Sequence, residues 1–536
     1  MSANPKVLLL GLDGATWRVL RPMIEAKRLP ALEAITQRGR WGVLNSIVPP
    51  ITAPAWTSFF TGRNPGKHGV FNFTAARPGE YENLRLVTTR DIRCDTVWDL
   101  LGAAGKQVAV MNVPMSYPVW PVSGFMVSCM CTPRSVGVAT HPPELAAHLG
   151  TYQTSERRRI KLPIGHPGYR EQAMAYLDEI ARVTEQHGRV ALELMKSKPW
   201  DLFAVVFMTL DRLSHFFWRY LCPDGRGENP DIAAKVVAIV QNLDAWVGRL
   251  VSQAGEGTTT FVVSDHGFGP DMTRAVNLHR FFLERGWIAR DPFWFAKRLY
   301  RKAASKLSGA ERRYSFDKKA GIVDWSRTKA WVELAGPRLV GVRINHVGAC
   351  AQGIVPEAEG TSLCIVIGDA LRALKDADGS PIVHEVKSRS EVFSGPHVET
   401  APDLIVFLHG DYTLAKSVGK ALRSTALVTP IERPVRDGNH DPAGIYVAAG
   451  PGIQGAGEAK PYSLMSIAPT VLALFGAPVP VDMDGEIMND ILQAGLVTPT
   501  RQAPTAAATS AREEFQYDAE DEEEIRARLE NLGYLE

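Results

Sequence analysis

Val7-Leu8-Leu9-Leu10-Gly11-Leu12-Asp13-Gly14 is an unbroken apolar run that stops on a carboxylate and a glycine. A short run of this kind, closed by Gly, suits a strand buried on both faces of a parallel sheet. The pattern recurs. Residues 107–111 lead to Asn112, 202–210 to Asp211, and 259–264 to Asp265-His266-Gly267, while 403–408 and 445–449 add two further strands. Helical stretches at 170–198 and 232–254 lie between them. This alternation predicts an α/β fold with an open, mostly parallel central sheet flanked by helices. In such sheets the functional groups collect at the C-terminal strand ends. One terminal Asp is commonplace in turns, but Asp13, Asp211 and Asp265 at one presumed edge point to a shared site.

The chemistry itself is expected in Pro50-Ile51-Thr52-Ala53-Pro54-Ala55-Trp56-Thr57-Ser58-Phe59-Phe60-Thr61-Gly62. This reads as a loop turning into a short helix, with Thr52 at the N-cap, Pro54 in the first turn and Gly62 as the stop. A hydroxyl there lies beside unpaired N–H groups at the positive end of a helix, a ready anion site. Thr is also a favoured cap and needs no further role on that ground alone. The metal-ligand residue types elsewhere in the chain give it one.

In Asp211-Arg212-Leu213-Ser214-His215 a carboxylate and an imidazole stand four apart. If Asp211 caps the helix that follows, His215 rises one turn above it on the same edge. Asp265-His266-Gly267-Phe268-Gly269 offers two ligands at a strand end, followed by glycines that let the backbone turn tightly. His440, in the turn-rich loop Asp437-Gly438-Asn439-His440-Asp441-Pro442, supplies a ligand from the far side, with Asp437 and Asp441 as turn formers or supporting partners. The count gives two divalent ions. Asp13, Asp265, His266 and the Thr52 oxygen hold one; Asp211, His215 and His440 hold the other with an open position. Mixed O/N ligation without thiolate suits zinc, with manganese or iron also compatible. Arg63, Lys67 and Arg212 are cations near these segments, read as surface or structural charges because no spacing singles them out.

The composition sets limits. A formal charge of +2 over 536 residues gives no nucleic-acid-binding signal. No apolar run reaches membrane-spanning length. Lys6 is followed at once by the first apolar run, which reads as a core strand and not as a secretory signal. Six cysteines, at 94, 129, 131, 222, 350 and 364, fall in no zinc or disulfide spacing, so Cys129 and Cys131 read as structural and the expected compartment is the cytoplasm.

The rest divides simply. Residues 271–398 are less regular and read as an insertion, with a basic aromatic surface helix near 293–302 that forms a lid. Residues 498–512, rich in Pro, Ala and Thr, read as a linker. The acidic stretch 513–536 carries Ile525, Leu529 and Leu532 at helical spacing and is expected to dock on the body.

Together these residues resemble the alkaline phosphatase superfamily, most closely its type I phosphodiesterase/nucleotide pyrophosphatase branch. The resemblance carries Thr52-Ala53-Pro54 through Thr61-Gly62-Arg63-Asn64-Pro65-Gly66-Lys67-His68-Gly69 as the nucleophile segment. It carries Asp13, Asp211, His215, Asp265, His266 and His440 as six metal ligands in chain order. The stretches His68 to Phe73, Asp211 to Trp218, Asp265 to Gly269 and Ala401 to Val406 look like a bacterial and archaeal group of predicted phosphohydrolases or phosphomutases. The similarity spans most of 6–495, and Leu532-Gly533-Tyr534-Leu535 resembles that group's C-terminus. In the nucleotide pyrophosphatases an Asn shortly after His-Gly holds the substrate phosphate; here Asn72 is the nearest equivalent, displaced by one residue. The C/S-x-P-x-R pattern of sulfatases is absent at Thr52-Ala53-Pro54-Ala55-Trp56.

The resemblance implies an alkaline-phosphatase-like catalytic domain over 1–497, with an inserted lid or cap at about 271–398. It also implies a two-metal phosphohydrolase for a small-molecule phosphoester, a phosphodiesterase acting through a phospho-threonine on Thr52. The alternatives are a phosphomonoesterase or phosphomutase in the same site, or a metal-binding sensor without turnover.

Overall fold

The computed structural model describes residues 5–77, 79–81, 84–222, 227–294, 322–415, 424–432, 435–494, 501–502, 515–532 and 534. Its centre is a ten-stranded sheet. Five strands run parallel in the middle, in the spatial order Thr258–Val263, Lys6–Leu12, Leu202–Phe207, Val108–Met111 and Gly124–Val127. Antiparallel strands close both sides: Ala443–Ala449 against Thr258–Val263, and Thr140–His141 against Gly124–Val127. Arg40–Asn45 lies beyond Ala443–Ala449. The expected α/β class with a mostly parallel sheet is what the chain adopts.

The apolar runs are continuous because each strand is covered on both faces. Val7 and Leu9 point into one core with Trp56, Val110 and Val206; Leu8, Leu10 and Leu12 point into the other with Met111, Phe203 and Phe207. The helices Thr52–Thr61, Val97–Ala103 and Ile467–Leu474 line the first core. The long helices Tyr169–Ser197 and Pro230–Ala254 pack on one another over the second. Register levels the strand ends, with Leu12 opposite Phe207 and Gly11 opposite Val263. Asp13, Asp265 and the turn after Phe207 therefore meet at one edge.

Three boundaries differ from the sequence reading. The third strand stops at Phe207, and the chain turns straight into the helix Thr209–Leu221. Leu210 continues the apolar run but is helical, because a buried helix and a buried strand carry the same hydropathy. Asp211 thus sits in the first turn and is not the cap, which is Met208. Leu404–Leu408 belongs to a different, four-stranded antiparallel sheet, ordered Ala330–Gly336, Leu339–Ile344, Leu404–Leu408, Val383–Ser388. It read like a central strand because it too is buried on both sides, Leu404 and Val406 in one cluster and Ile405 in another. His440 lies not in a loop but on the short strand Gly438–Asp441, paired antiparallel with Gly267–Pro270.

The helix Ala519–Leu532 docks through Ile525, Leu529 and Leu532, which are buried in the first core. The basic aromatic stretch near 293–302 and the linker 498–512 lie almost wholly outside the described residues. Among the described residues no helix is long and apolar enough to cross a membrane.

Candidate active site

Backbone geometry delivers six ligand-type side chains to the sheet edge. Asp13 follows Leu12 directly, and Gly14 turns the chain with φ +72, where a Cβ would meet the Phe268 ring at 2.6 Å. Asp265 and His266 follow Val263, and the pairing of Phe268 with His440 brings that distant residue beside them. Asp211 and His215 lie one helical turn apart. The outcome is two buried groups, Asp13 with Asp265 and His266, and Asp211 with His215 and His440.

In the second group, His215 Nε2 and His440 Nε2 each lie 3.5 Å from Asp211 Oδ1 and 3.0 Å from one another. In the first, His266 Nε2 is 3.2 Å from Asp265 Oδ2, 3.8 Å from Asp13 Oδ1 and 3.3 Å from Thr52 Oγ1. The His266 and His440 rings stack with centroids 3.7 Å apart, which joins the two groups.

The donor set fits cations. Each Nδ1 faces a main-chain carbonyl: His440 to Pro50 at 2.8 Å, His266 to Gly267 at 3.1 Å and His215 to Gly438 at 3.3 Å. A carbonyl only accepts, so Nδ1 carries the proton and Nε2 presents its lone pair inward. The carboxylates are arranged the same way. Trp56 Nε1–H donates to Asp13 Oδ2 at 2.7 Å, and the Gly14 N–H to Asp265 Oδ1 at 3.3 Å. Arg212 Nη1 and the Tyr534 hydroxyl donate to Asp211 Oδ2 at 2.6 and 2.8 Å. The opposite oxygens, Asp13 Oδ1, Asp265 Oδ2 and Asp211 Oδ1, are buried without a hydrogen-bond partner. An unmet buried acceptor costs about 1–3 kcal/mol, more when charged. All three face the imidazole Nε2 atoms, where positive ions satisfy both sets at once.

Electrostatics agree. Burial pushes the Asp13 and Asp265 carboxyls well up, with neighbouring carboxylates adding to it. Burial likewise pushes His215 and His266 well down, which keeps their rings neutral and able to ligate. Burial opposes ionisation of Asp211 too, but His215, His440 and Arg212 outweigh it and its carboxyl stays low.

Thr52 is fully buried and begins the helix Thr52–Thr61. The expected capping role is not what it does: Ile51 is the N-cap, and no side chain caps this helix. Ile51 is already extended, with φ −118 and ψ 140, and its carbonyl takes the Ala55 N–H, so the Thr52 hydroxyl is left to turn toward His266.

The other named residues lie elsewhere or serve the scaffold. Asn72 accepts from the Phe73 N–H at 2.7 Å. Arg63 is buried and holds Asp482 through Nε and Nη2 at 2.8 and 2.6 Å, and Lys67 Nζ binds the Asp482 carbonyl at 2.8 Å. Arg212 is buried between Asp211 and Glu156. Asp437 takes the Trp218 N–H at 2.8 Å and Arg219 Nε at 2.6 Å, and Asp441 takes the Ala443 N–H at 3.0 Å. Cys129 and Cys131 are buried free thiols. Sequence reasoning missed three supports. Trp56 stood in plain view within the helix segment. Arg338, whose guanidinium holds the His440 carbonyl at 3.3 Å, carries no local signal, and Tyr534 stood within the C-terminal resemblance without a role.

An α/β sheet of this topology is also the fold of a phosphonoacetate hydrolase and of an alkaline phosphatase of known structure. Residues 7–429 match the type I phosphodiesterase/nucleotide pyrophosphatase family, and the chain is a member of it. Phosphonoacetate hydrolase from Sinorhizobium meliloti 1021, solved with phosphonoformate, is similar in fold with a TM-score of 0.55 at 15% identity, over 87% of this chain and 94% of that one. Wild-type alkaline phosphatase PafA is similar with a TM-score of 0.53 at 16% identity, over 92% of this chain and all (100%) of that one. No curated protein matches the chain by sequence.

Proposed function

We propose that this hydrolase is a two-metal phosphodiesterase that works through a phospho-threonine on Thr52. The observation that carries the reading is the gathering of three unpartnered carboxylate oxygens and three imidazole Nε2 atoms at one sheet edge, with the Thr52 hydroxyl 3.3 Å from His266 Nε2. Asp13, Asp265 and His266, with Thr52, would hold one ion, and Asp211, His215 and His440 the other. Oxygen and nitrogen donors without thiolate favour zinc. Bound there, such ions lower the pKa of a hydroxyl and neutralise phosphoryl charge.

The chain's own residues supply the rest. Thr52 Oγ1 loses its proton and attacks phosphorus in line, the bond to the leaving oxygen breaks with its electron pair, that oxygen takes a proton from water and departs as the alcohol, and the phosphoryl group rests on Thr52. Water then cleaves that ester and restores the hydroxyl. The first helical turn offers the Ala53 N–H to a non-bridging oxygen, since it has no acceptor within the helix and Pro54 has no N–H. The resemblance also offers Asn72 for the phosphate, a contact its amide nitrogen would have to supply because Oδ1 takes the Phe73 N–H. Burial of the whole edge keeps bulk water out. A sensor without turnover has no use for a hydroxyl freed from capping, which favours the enzyme. Six free cysteines suit a reducing cytoplasm.

The test is a turnover panel of aryl phosphate mono- and diesters, nucleotides and phospholipid head groups on metal-loaded protein. Diester hydrolysis should exceed monoester hydrolysis. Equal or faster monoester turnover would assign the site to phosphomonoester chemistry.

A further inference from the structure

The hydroxyl of Tyr534 sits inside the site, although it comes from the far end of the chain. It donates to Asp211 Oδ2 at 2.8 Å and accepts from Arg212 Nη1 at 2.7 Å. One O–H and one lone pair are thereby used in complementary directions, as a phenol allows and a phenyl ring does not. The ring packs at a tilt against Phe73 with centroids 4.9 Å apart, and the Arg212 guanidinium lies 5.3 Å from its centre. The His215 and His440 rings both stand 6.1 Å away.

The approach to this position is built. Ile525, Leu529 and Leu532 bury one face of the helix Ala519–Leu532, and the Tyr534 N–H bonds to the Leu529 carbonyl at 2.9 Å. Arg528 Nη1 reaches the Met130 and Thr132 carbonyls, the latter at 2.8 Å. Ahead of the helix, the Tyr517 hydroxyl donates to the Cys131 carbonyl at 2.8 Å. These anchors fix the tail against the segment 130–132, which also meets Arg212 through Met130 Sδ at 3.1 Å.

Asp211 is the carboxylate that needs such help. Its Oδ1 is the atom shared between His215 and His440, and it faces them only while Oδ2 is held on the other side. Asp13 and Asp265 are held by a residue of the same core and by a main-chain N–H. Asp211 is held by Arg212, its own neighbour, and by Tyr534.

We infer that Tyr534 is a positioning residue for the second ion: the docked C-terminal segment orients Asp211 so that Oδ1, His215 and His440 converge. The inference rests on the assignment of those three residues as ligands. Outer partners of metal ligands typically change affinity by about 10–100-fold.

The experiment uses the full chain and Tyr534→Phe, which keeps the ring, its packing on Phe73 and the main-chain bond to Leu529. Zinc dissociation is measured by competition with a chromogenic chelator, alongside the visible absorption of cobalt-loaded protein and kcat and KM on an aryl phosphodiester. The expected result is one zinc ion weakened by about 10-fold or more with the other unchanged, an altered cobalt spectrum, and kcat reduced more than KM is raised. Two ions bound with wild-type affinity and an unchanged spectrum in folded Tyr534→Phe overturn the inference alone. Wild-type protein that takes up no ions overturns the ligand assignment, and the inference with it.

Discussion

His215 Nε2 and His440 Nε2 lie 3.0 Å apart with both Nδ1 atoms turned to carbonyl oxygens. Rings so arranged turn their Nε2 atoms toward each other, a contact that a shared cation would convert to ligation. Metal-loaded protein should hold about two ions per chain by elemental analysis, and its melting temperature should rise with zinc concentration. Chelation should abolish turnover and re-addition restore it. His440→Ala should keep the fold and lose one ion, and two retained ions would place the third ligand elsewhere.

Thr52 separates chemistry from architecture. Because its hydroxyl caps nothing, Thr52→Ala should stay folded with a melting temperature near that of wild type. Turnover should fall by orders of magnitude, since the covalent route is gone. Thr52→Ser retains the oxygen and should retain measurable activity. Acid quench of wild type with a labelled phosphodiester should trap phosphate on a peptide containing Thr52. Near-normal turnover in Thr52→Ala would falsify the covalent route.

Gly11 is the third test. A Cβ there would stand 2.5 Å from Trp56 Cη2 and 2.7 Å from Val206 Cγ2. Gly11→Ala should cost about 1–3 kcal/mol in denaturant unfolding. Because the same Trp56 holds Asp13, metal uptake should fall as well. Wild-type stability in this variant would mean that the indole has room to move.

The fourth concerns pH. His68 is buried, accepts from the Val70 N–H through Nδ1 at 3.2 Å and meets Ser58 Oγ through Nε2 at 2.9 Å. Burial first, then the nearby Arg63 charge, lower its pKa to about 3. Unfolded, it titrates near the ordinary value of about 6.5. Between these values the unfolded chain binds the extra proton, so stability is complete above about pH 6.5 and falls on acidification. The limiting slope is about 1.4 kcal/mol per pH unit, flattening below about pH 3. Urea unfolding of metal-free His68→Gln between pH 7 and 5 should give a shallower fall than wild type. Parallel curves would remove His68 from the acid response.

Much of the site was legible because Asp13 and Asp265 each stop an apolar run, and hydropathy marks where a buried strand ends. Asp211 and His215 were legible by their spacing, although hydropathy could not tell where strand became helix. The pairing of Gly267–Pro270 with Gly438–Asp441 had no such signal: Gly, Asn, His and Asp carry no alternating pattern, and only register makes His440 a neighbour of His266. Tyr534 was further out of reach. The apolar stripe of its helix predicted docking, but the address of the residue beyond it depends on Phe73, Asp211 and Arg212, far from it in sequence.

The pairing of Phe268 with His440 has a consequence for synthesis. At ribosomal rates, roughly 20–90 s separate the emergence of Asp13 from that of His440. Until His266 emerges both proposed ligand groups are incomplete, and from then until His440 the group of Asp211 and His215 still is. A strand only four residues long (Gly438–Asp441) acts as the closing clasp. Polypeptides released before it lack His440 and Tyr534, so on the proposed assignment premature termination should yield fragments that cannot hold the second ion.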